Sequence, residues 1–422
     1  MADLLLRGSA AQVVDRLKEA WVAKWWLRVV LVWAATRAFT VLGFLWANTL
    51  QGPTPWDPTG HPSYFKYLDT WDAEWYRKIY LDGLGNGSGY NHVLPLNENG
   101  AVRQNAWAFM PGYPMLIRLI TGLLTLKPMI PVWSVVGNLV SLVLSFGVAL
   151  MVYRVLNLKL DARTSLWAVL LFGLWPASPV LQTPYAESLG LLLLAFGLYY
   201  LIQHRYLAAA PWLVGLSITR PGMISFALML AGMWVVRFVK HRRGSEEFPS
   251  LERWKLAALT LFSGFLGLIW PLFAWWATGR QDAYTVTELA WRMDVPDAKL
   301  VYFSGWVYAG HVFFGEHFSS LFLPFAMTLT AAILLSPAMR KLGNEMRLWV
   351  ASYMLYLFAV FHAQSSTWRI LLPAFPLIGG FALLTTNMRK WQKAVIVVIM
   401  AALQLWWLKQ CWNFASPDIT PP

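Results

Sequence analysis

The sequence predicts an all-α membrane protein that crosses the bilayer many times, on the strength of its composition and its apolar runs. Hydrophobic residues make up 58% of the 422 residues and charged residues 13%, whereas about 25% of a soluble domain is charged. Apolar runs of about 18 residues or more recur along the chain, and an α-helix needs that length to cross a bilayer. The runs are continuous and do not alternate with period two, which excludes a transmembrane β-barrel.

Basic residues set the expected orientation of the chain. The net charge of +13 is better explained by bases clustered in short cytoplasmic segments than by nucleic-acid binding. We interpret residues 1–24 as a cytoplasmic amphipathic segment, because bases surround the start of the first span: Arg7, Arg16, Lys18, Lys24 and Arg28. The expected location is therefore the cell inner (plasma) membrane, with multiple passes and a cytoplasmic N-terminus.

The apolar runs predict about eleven spans in a single transmembrane domain at 25–410, followed by an outer tail at 411–422. Their expected positions are 25–50, 131–153, 166–203 as a pair, 206–240 as two short helices, 256–277, 320–338, 347–363, 369–387 and 392–410. Two polar loops on the outer side interrupt the spans, at about 51–108 and about 278–319. The pairs are broken by proline-rich turns, which must face protein or a water-filled cavity because lipid cannot satisfy a broken backbone.

The first outer loop contains the densest group of charged and aromatic residues in the chain, at Asp69–Lys78. In a helix, Asp69, Asp72 and Tyr76 share one face. A carboxylate beside aromatic rings at a membrane surface suits a general base for a sugar hydroxyl, since partial desolvation preserves its basicity and rings stack on sugars. The alternative is structural: Asp69 is an N-cap, Asp72 is the acid of the first helical turn, and Glu74 pairs with a lysine four residues later.

Ionisable residues in or near apolar segments are the next candidates, and four stand out: Arg37, Glu187, Arg220 and Arg369. Charges in such positions are costly and usually face a cavity or a partner. Arg220 and Arg369 fall on the outer side, where a guanidinium can bind a lipid phosphate through two hydrogen bonds. Alternatively, Arg37 or Arg220 pairs with a carboxylate such as Glu187 and holds helices together.

The sequence has no motif for a metal or a soluble cofactor, and we expect neither. His311 and His362 stand alone, without a cluster at metal-ligand spacing. The glycine-rich run at 83–89 lacks the lysine and helix of a P-loop, and we interpret it as a mobile loop. Cys411 is the single cysteine, so an intrachain disulfide is excluded.

Five motifs resemble, in their order along the chain, those of the PIG-V mannosyltransferases, a branch of the GT-C glycosyltransferases. They are WDAEWY at 71–76, FMPGYP at 109–114, PYAESL at 184–189, TRPG at 219–222 and WRILLPAFP at 368–376. Pro221, Trp368 and Ile370 depart from the family pattern. The second outer loop at 278–319 matches none of the motifs, and acceptor specificity is expected there.

The resemblance implies a GT-C-like bundle of about eleven transmembrane helices with a large first extracytoplasmic loop carrying short interfacial helices. It implies inverting transfer of a hexose, usually mannose, from a polyprenyl- or dolichyl-phosphate donor on the extracytoplasmic face. In GT-C enzymes an acidic residue of the first outer loop serves as the base, which corresponds here to Asp72. The residues expected to bind substrate are Trp71, Glu74, Trp75, Tyr76, Tyr113, Tyr185, Glu187, Arg220 and Arg369.

The expected partners are the polyprenyl-phosphate sugar donor, a glycolipid, glycan or protein acceptor, and the lipid bilayer, with no nucleic acid. A transporter or flippase of lipid-linked sugars is the rival hypothesis, because broken helices and intramembrane arginines occur in both classes. A GT-C enzyme for another sugar is the rival within the enzyme class. Polar sites gathered at the outer face, and the lack of an evident inverted repeat, favour the enzyme.

Overall fold

The computed structural model describes residues 24–53, 57–83, 89–292, 296, 298–413 and 422. Within these ranges the protein is helical and contains no β-strand. Three predicted features fall largely outside the described residues: the amphipathic segment at 1–24, the glycine-rich run at 83–89 and the tail at 411–422.

In the first half of the described chain, shorter helices lie between three long apolar helices. In chain order these helices are α1 (Trp25–Thr49), α2 (Tyr64–Leu68), α3 (Asp72–Asp82), α4 (Gly112–Leu123), α5 (Ile130–Asn157), α6 (Ala162–Gly173), α7 (Glu187–Ile202), α8 (Tyr206–Ser217) and α9 (Met223–Arg242). The predicted loop at 51–108 thus carries α2 and α3, and it ends in a 3₁₀ turn at Ala106–Ala108.

The second half begins with the longest helix of the described chain and then alternates in the same way. Its helices are α10 (Ser250–Thr278), α11 (Ala283–Leu289), α12 (Ser304–Phe314), α13 (Glu316–Leu335), α14 (Pro337–Lys341), α15 (Gly343–Val360), α16 (Thr367–Ile370), α17 (Pro376–Thr385) and α18 (Lys390–Trp412). The predicted loop at 278–319 contains α11 and α12.

Among the described residues, six helices are long and apolar enough to cross a membrane: α1, α5, α9, α10, α13 and α18. Shorter apolar helices lie between them, namely α6, α7, α8 and α17. The predicted all-α, multi-pass membrane fold is confirmed. The count of about eleven spans stays a prediction.

The predicted span at 369–387 is wrong, because the chain breaks there into α16, a 3₁₀ turn at Leu372–Ala374 and α17. Pro373 and Pro376 lack the N–H group that a continuous helix needs at those positions. The two breaks that were predicted are present, one between α6 and α7 and one between α8 and α9. All three breaks place polar residues at helix ends.

An aromatic core joins the first predicted loop to α10 and α11. Tyr90, Trp107 and Trp270 pack with ring centroids 4.8–5.5 Å apart, and the Trp270 indole N–H donates to the Trp107 carbonyl at 2.9 Å. The Asn105 amide donates to the Thr287 hydroxyl at 3.1 Å. The two predicted outer loops therefore pack against each other and build adjoining walls of one cavity.

Candidate active site

A cavity of about 1,100 Å³ lies where α3, α7, α9, α11, α15 and α16 meet. This volume slightly exceeds the usual range of about 300–1,000 Å³ for small-molecule sites. Its charged lining includes Asp72, Glu187, Arg220, Glu288, Arg292 and Arg369. Its apolar lining includes Leu191, Leu194, Met223, Ile224, Leu266 and Leu268. The cavity is therefore amphipathic.

Asp72 is the first residue of α3, and the turn before it is strained. Trp71 has φ 59° and ψ −125°, and such a conformation costs a non-glycine residue about 1–3 kcal/mol. The Trp71 indole N–H donates to the Cys411 carbonyl at 2.9 Å, and the Tyr185 hydroxyl donates to the Thr70 carbonyl at 3.0 Å. These hydrogen bonds from distant parts of the chain hold the turn and fix the start of α3.

Asp72 belongs to a chain of four alternating charges. Arg369 donates to its carboxylate at 2.5 Å and lies 3.5 Å from the Glu187 carboxylate. Arg220 in turn donates to Glu187 at 2.8 Å. Four of the five sequence motifs thus meet in one cluster, and their roles in catalysis stay predictions. The alternative in which Arg220 pairs with Glu187 is also realised, inside the same cluster.

The charged cluster is incomplete in its hydrogen bonding. Arg369 Nε and Glu187 Oε2 are buried and have no hydrogen-bond partner among the described residues. A buried polar atom without a partner costs about 1–3 kcal/mol, and more when it is charged. Ion pairing inside the protein therefore does not exhaust the bonding capacity of the cluster, and a bound ligand can complete it.

Two glycines let the motifs approach each other closely. A Cβ on Gly190 would lie 2.7 Å from Arg220 Cγ, and a Cβ on Gly112 would lie 2.7 Å from the Ile218 carbonyl oxygen. The Gly112 N–H also donates to that carbonyl at 2.7 Å. The FMPGYP motif therefore supports the turn that carries Arg220.

Asp69 and Glu74, the other acids of the first-loop motif, have internal partners. Asp69 accepts hydrogen bonds at 2.7–2.9 Å from three side chains, those of Arg77, Trp133 and Ser134. It does not cap α3, whose N-cap is Trp71, but ties this loop to α5. Glu74 pairs with Lys78 at 3.1 Å, as the helix spacing predicts, and it also lines the cavity.

Trp75 lines the cavity but already has protein groups against its ring. Phe109 stacks on it at a centroid distance of 5.9 Å, and the Lys78 ammonium lies 4.1 Å from its centroid. The edge of Trp291 packs against it at 5.6 Å. These contacts compete with the sugar stacking that the sequence led us to expect from Trp75.

The three tyrosines expected to bind substrate take different positions. Tyr76 lines the cavity, and burial raises the pKa of its phenol. Tyr113 is fully buried and makes two 2.7 Å hydrogen bonds to α5, so the geometry does not support direct contact with substrate. Tyr185 is also fully buried; its ring lies 5.5 Å from the guanidinium of Arg369, which makes it a support for that arginine.

Arg37 lies outside the cavity and acts as a backbone clamp. Its guanidinium donates to the Ser178 carbonyl at 2.8 Å and to the Gly173 carbonyl at 2.7 Å. These carbonyls flank the break between α6 and α7, so Arg37 satisfies a backbone that the helix no longer satisfies. Arg37 therefore has the structural role that the alternative predicted. Its partners are backbone carbonyl groups, however, and not the carboxylate that we expected.

Sequence reasoning missed a second polar wall of the cavity, on α11 and the turn after it. Tyr284, Glu288 and Arg292 all line the cavity, and the Tyr284 hydroxyl donates to the Glu288 carboxylate. Burial raises the pKa of Glu288, against the opposing charge of Arg292. The three residues are spaced four apart in the sequence, which is the spacing of one helix face. This spacing is the signal from which they could have been predicted.

The described part of the chain contains no group of three or more His, Cys, Asp or Glu side chains placed to hold a metal ion. His311 and His362 are correspondingly not part of such a group. The His362 ring packs beside Tyr308 at 4.9 Å. The candidate site is therefore described by its carboxylates, arginines and tyrosines.

The fold and the cavity together define a multi-pass membrane protein with an enzyme-like site at one end of its helices. The family model described as Mannosyltransferase (PIG-V) matches residues 64–275, which is half of the chain and includes four of the five motifs. The chain therefore belongs to that family. No curated protein matches the chain.

The solved structures similar to this chain include oligosaccharyltransferases from Archaeoglobus fulgidus. The apo form is 11% identical with a TM-score of 0.45, over 94% of this chain and 57% of that one. The complex with an inhibitory peptide and a dolichol-phosphate is 11% identical with a TM-score of 0.40, over 89% and 55%. This chain thus spans little more than half the length of those proteins, and at such TM-scores the similarity carries no argument.

Proposed function

We propose that the protein transfers a hexose, with mannose as the first candidate, from a polyprenyl-phosphate donor to an acceptor hydroxyl, with inversion. The observation that carries the proposal is the amphipathic cavity, in which two arginines and two carboxylates lie beside an apolar wall. A lipid-linked sugar phosphate has the same division between a charged, hydroxyl-rich head and an apolar chain.

Arg220 and Arg369 are the proposed ligands of the donor phosphate. Guanidinium groups bind phosphate oxygens through paired, charge-assisted hydrogen bonds. The unpartnered Nε of Arg369 supports this assignment, since a phosphate oxygen supplies the acceptor that this atom lacks. The apolar lining from α7, α9 and α10 then receives the first isoprene units, and its burial contributes about 25 cal/mol per Å².

Asp72 is the proposed general base. The acceptor oxygen attacks the anomeric carbon from the side opposite the phosphate, so a new carbon–oxygen bond forms as the bond to the phosphate oxygen breaks. The electron pair leaves with polyprenyl phosphate, and the hydroxyl proton passes to Asp72. A positioned base of this kind contributes about 10²–10⁴-fold to the rate.

The pairing of Asp72 with Arg369 supports a coupling between the two events. Asp72 loses a negative charge when it takes the proton, while the departing phosphate gains one. Arg369, which donates to Asp72 at 2.5 Å, can therefore shift its hydrogen bond from the carboxylate to the phosphate as the charge moves. The total charge of the cluster and its ligand is unchanged, which avoids an uncompensated charge in a dry site.

The extracytoplasmic side is proposed from the distribution of bases along the helices. Glu187 begins α7 and Met223 begins α9, and both line the cavity. At the opposite ends of these helices, Arg205 follows α7, while Lys240 and Arg242 close α9. Bases favour the cytoplasmic side, which leaves the cavity on the other face.

The test is an assay of the purified full-length protein with radiolabelled polyprenyl-phosphomannose and a membrane lipid extract as the source of acceptor. We expect release of polyprenyl phosphate together with a labelled product of larger mass. Movement of intact donor across vesicle membranes without its cleavage would support the flippase hypothesis and contradict the proposed transfer. The same assay with other hexose donors identifies the sugar.

A further inference from the structure

The wall of the cavity formed by α11 is held in place by three separate contacts. Thr287, next to Glu288, is buried and bonded to Asn105 at 3.1 Å. The edge of Trp291 packs against Trp75 at 5.6 Å. The Arg292 guanidinium donates to the Val360 carbonyl at the end of α15, at 2.8 Å. A wall fixed on three sides presents its polar groups in one geometry, as a binding subsite requires.

The environment of Glu288 favours the neutral carboxyl group. Burial raises its pKa, and the charge of Asp72 acts in the same direction, whereas Arg292 and Arg220 oppose it. Tyr284 donates a hydrogen bond to it, and Tyr356 of α15 lies within range of its charge. A neutral carboxyl group both donates and accepts hydrogen bonds, which matches a sugar hydroxyl.

Asp72 and Glu288 line the same cavity from different helices, α3 and α11. Asp72 lies within the arginine cluster, whereas Glu288 has a tyrosine as its hydrogen-bond partner. With about 1,100 Å³, the cavity has room for a donor head group at the first wall and a second sugar at the other. Arg220 and Arg292 disfavour a cationic acceptor such as a lysine-rich peptide.

We propose that Tyr284, Glu288 and Arg292 form the acceptor subsite, and that this subsite takes a neutral sugar whose attacking hydroxyl it presents to Asp72. The proposal rests on the proposed function and names its acceptor class, a hexopyranoside. Glu288 exchanges hydrogen bonds with hydroxyls of the acceptor ring, and Arg292 and Tyr284 hold the carboxyl group in place.

The experiment uses the full-length protein, polyprenyl-phosphomannose and a panel of octyl pyranosides as acceptor probes. Glu288→Ala should raise the KM for the accepted pyranoside about tenfold or more, as loss of a strong hydrogen bond predicts. The affinity for the donor, measured by tryptophan fluorescence, should stay within about twofold. Asp282→Ala is the matched control, because Asp282 is an exposed carboxylate on the same segment, paired with Arg280, and should leave both values unchanged.

A pH profile separates acceptor binding from a structural role. In the wild type, the KM for the pyranoside should rise as pH increases through the raised pKa of Glu288, because the ionised carboxylate no longer donates. Glu288→Gln, which keeps a neutral donor and acceptor, should remove this dependence and keep the low KM. An equal pH dependence in the glutamine variant would overturn the role assigned to Glu288.

The remaining outcomes are equally decisive. An unchanged KM in Glu288→Ala, or an equal loss of donor affinity, would contradict the acceptor subsite. Transfer by the wild type to a serine-containing peptide or a lipid alcohol, but to no pyranoside, would contradict the sugar class while leaving the proposed function intact. If the wild type releases no polyprenyl phosphate with any acceptor, the proposed function fails and the acceptor subsite fails with it.

Discussion

Two arginine clusters at opposite ends of α9 use the same residue types but differ in how completely they are bonded. Near the C-terminal end, Arg237 donates to Glu246 and to Tyr206 at 2.6 Å each, and also to Glu252. Each of its three guanidinium nitrogens has an acceptor. Near the N-terminal end, the cluster of Arg220 and Arg369 leaves one nitrogen and one carboxylate oxygen without a partner.

Ion pairing by itself therefore does not mark a charged residue as functional. The hydrogen-bond donors of Arg237 all have acceptors within the protein, on α8, on the start of α10 and between α9 and α10. This cluster therefore has a structural role and no donor left for a ligand. The Arg369 cluster is unsaturated and borders the cavity, so it has bonding capacity left for a ligand. Four predictions, which use five variants, test this distinction, and they are ordered by the size of the expected effect.

Asp72→Asn should have the largest effect on activity. The amide keeps the shape of the side chain but cannot accept the proton, so turnover should fall about 10²–10⁴-fold. Thermal unfolding of the purified variant should remain cooperative, since Arg369 retains Glu187 as a neighbour. Asp69→Asn is the control: it should lower the unfolding temperature and leave turnover per folded molecule nearly unchanged. Near-normal turnover by a folded Asp72→Asn protein would rule out Asp72 as the base.

Arg237→Met should have the largest effect on stability. Removing one partner of a buried ion pair costs about 3–5 kcal/mol. The lower end is expected here, because Glu246 and Glu252 are each 24% exposed and water screens the remaining charge. Intrinsic tryptophan fluorescence during heating measures the loss. Turnover per folded molecule should not change, and a selective loss of turnover would mean that this cluster also serves catalysis.

Arg369→Lys and Arg220→Lys should weaken binding of the polyprenyl phosphate group, which the donor carries, by about tenfold each. Lysine keeps the charge but loses the forked hydrogen-bond geometry, and one hydrogen bond to a charged group contributes about 1.5–3 kcal/mol. The measurement is the dissociation constant of polyprenyl phosphate in detergent micelles. Arg205→Lys, an exposed arginine at the other end of α7, should bind polyprenyl phosphate as the wild type does.

Lys78→Met should have the smallest effect. Lys78 and Glu74 are 31% and 32% exposed, and exposed helix pairs contribute about 0.3–0.5 kcal/mol. The ammonium contact with the Trp75 ring adds about 0.5–1 kcal/mol. Thermal unfolding should therefore shift by a few degrees at most. A tenfold drop in turnover without unfolding would instead indicate that this contact orients Glu74 or Trp75 toward substrate.

Hydropathy and helix-breaking residues were enough to predict most of the membrane fold. The span predicted at 25–50 is a helix at Trp25–Thr49, and the breaks before Glu187 and Met223 lie where proline and glycine interrupt the apolar runs. The prediction of one span at 369–387 was wrong because it relied on the apolar composition of the segment and did not take account of its two prolines. Hydropathy measures preference for lipid, and it does not register the loss of a backbone hydrogen bond.

The candidate site was predictable where motifs carried it and hidden where packing did. Arg220 and Arg369 were suggested by the cost of charge in apolar segments, and the structure brings both into the cluster that contains Asp72. Glu288 was missed because it lies in a polar loop, where the sequence gives no sign that its carboxylate is buried. Substrate binding by Tyr113 stays a prediction, but its two hydrogen bonds to α5 favour a packing role and are visible only in three dimensions.

The strained turn at Trp71 limits how far the first-loop motif can be transplanted between proteins. One of the two hydrogen bonds that hold this turn is accepted by a carbonyl 340 residues further along the chain, on α18. A designer who grafts WDAEWY alone onto another membrane scaffold would copy the residues without their restraint, and the turn would relax to an ordinary φ. The WDAEWY motif and α18 therefore have to be moved together when chimeras or reconstructed ancestors are built.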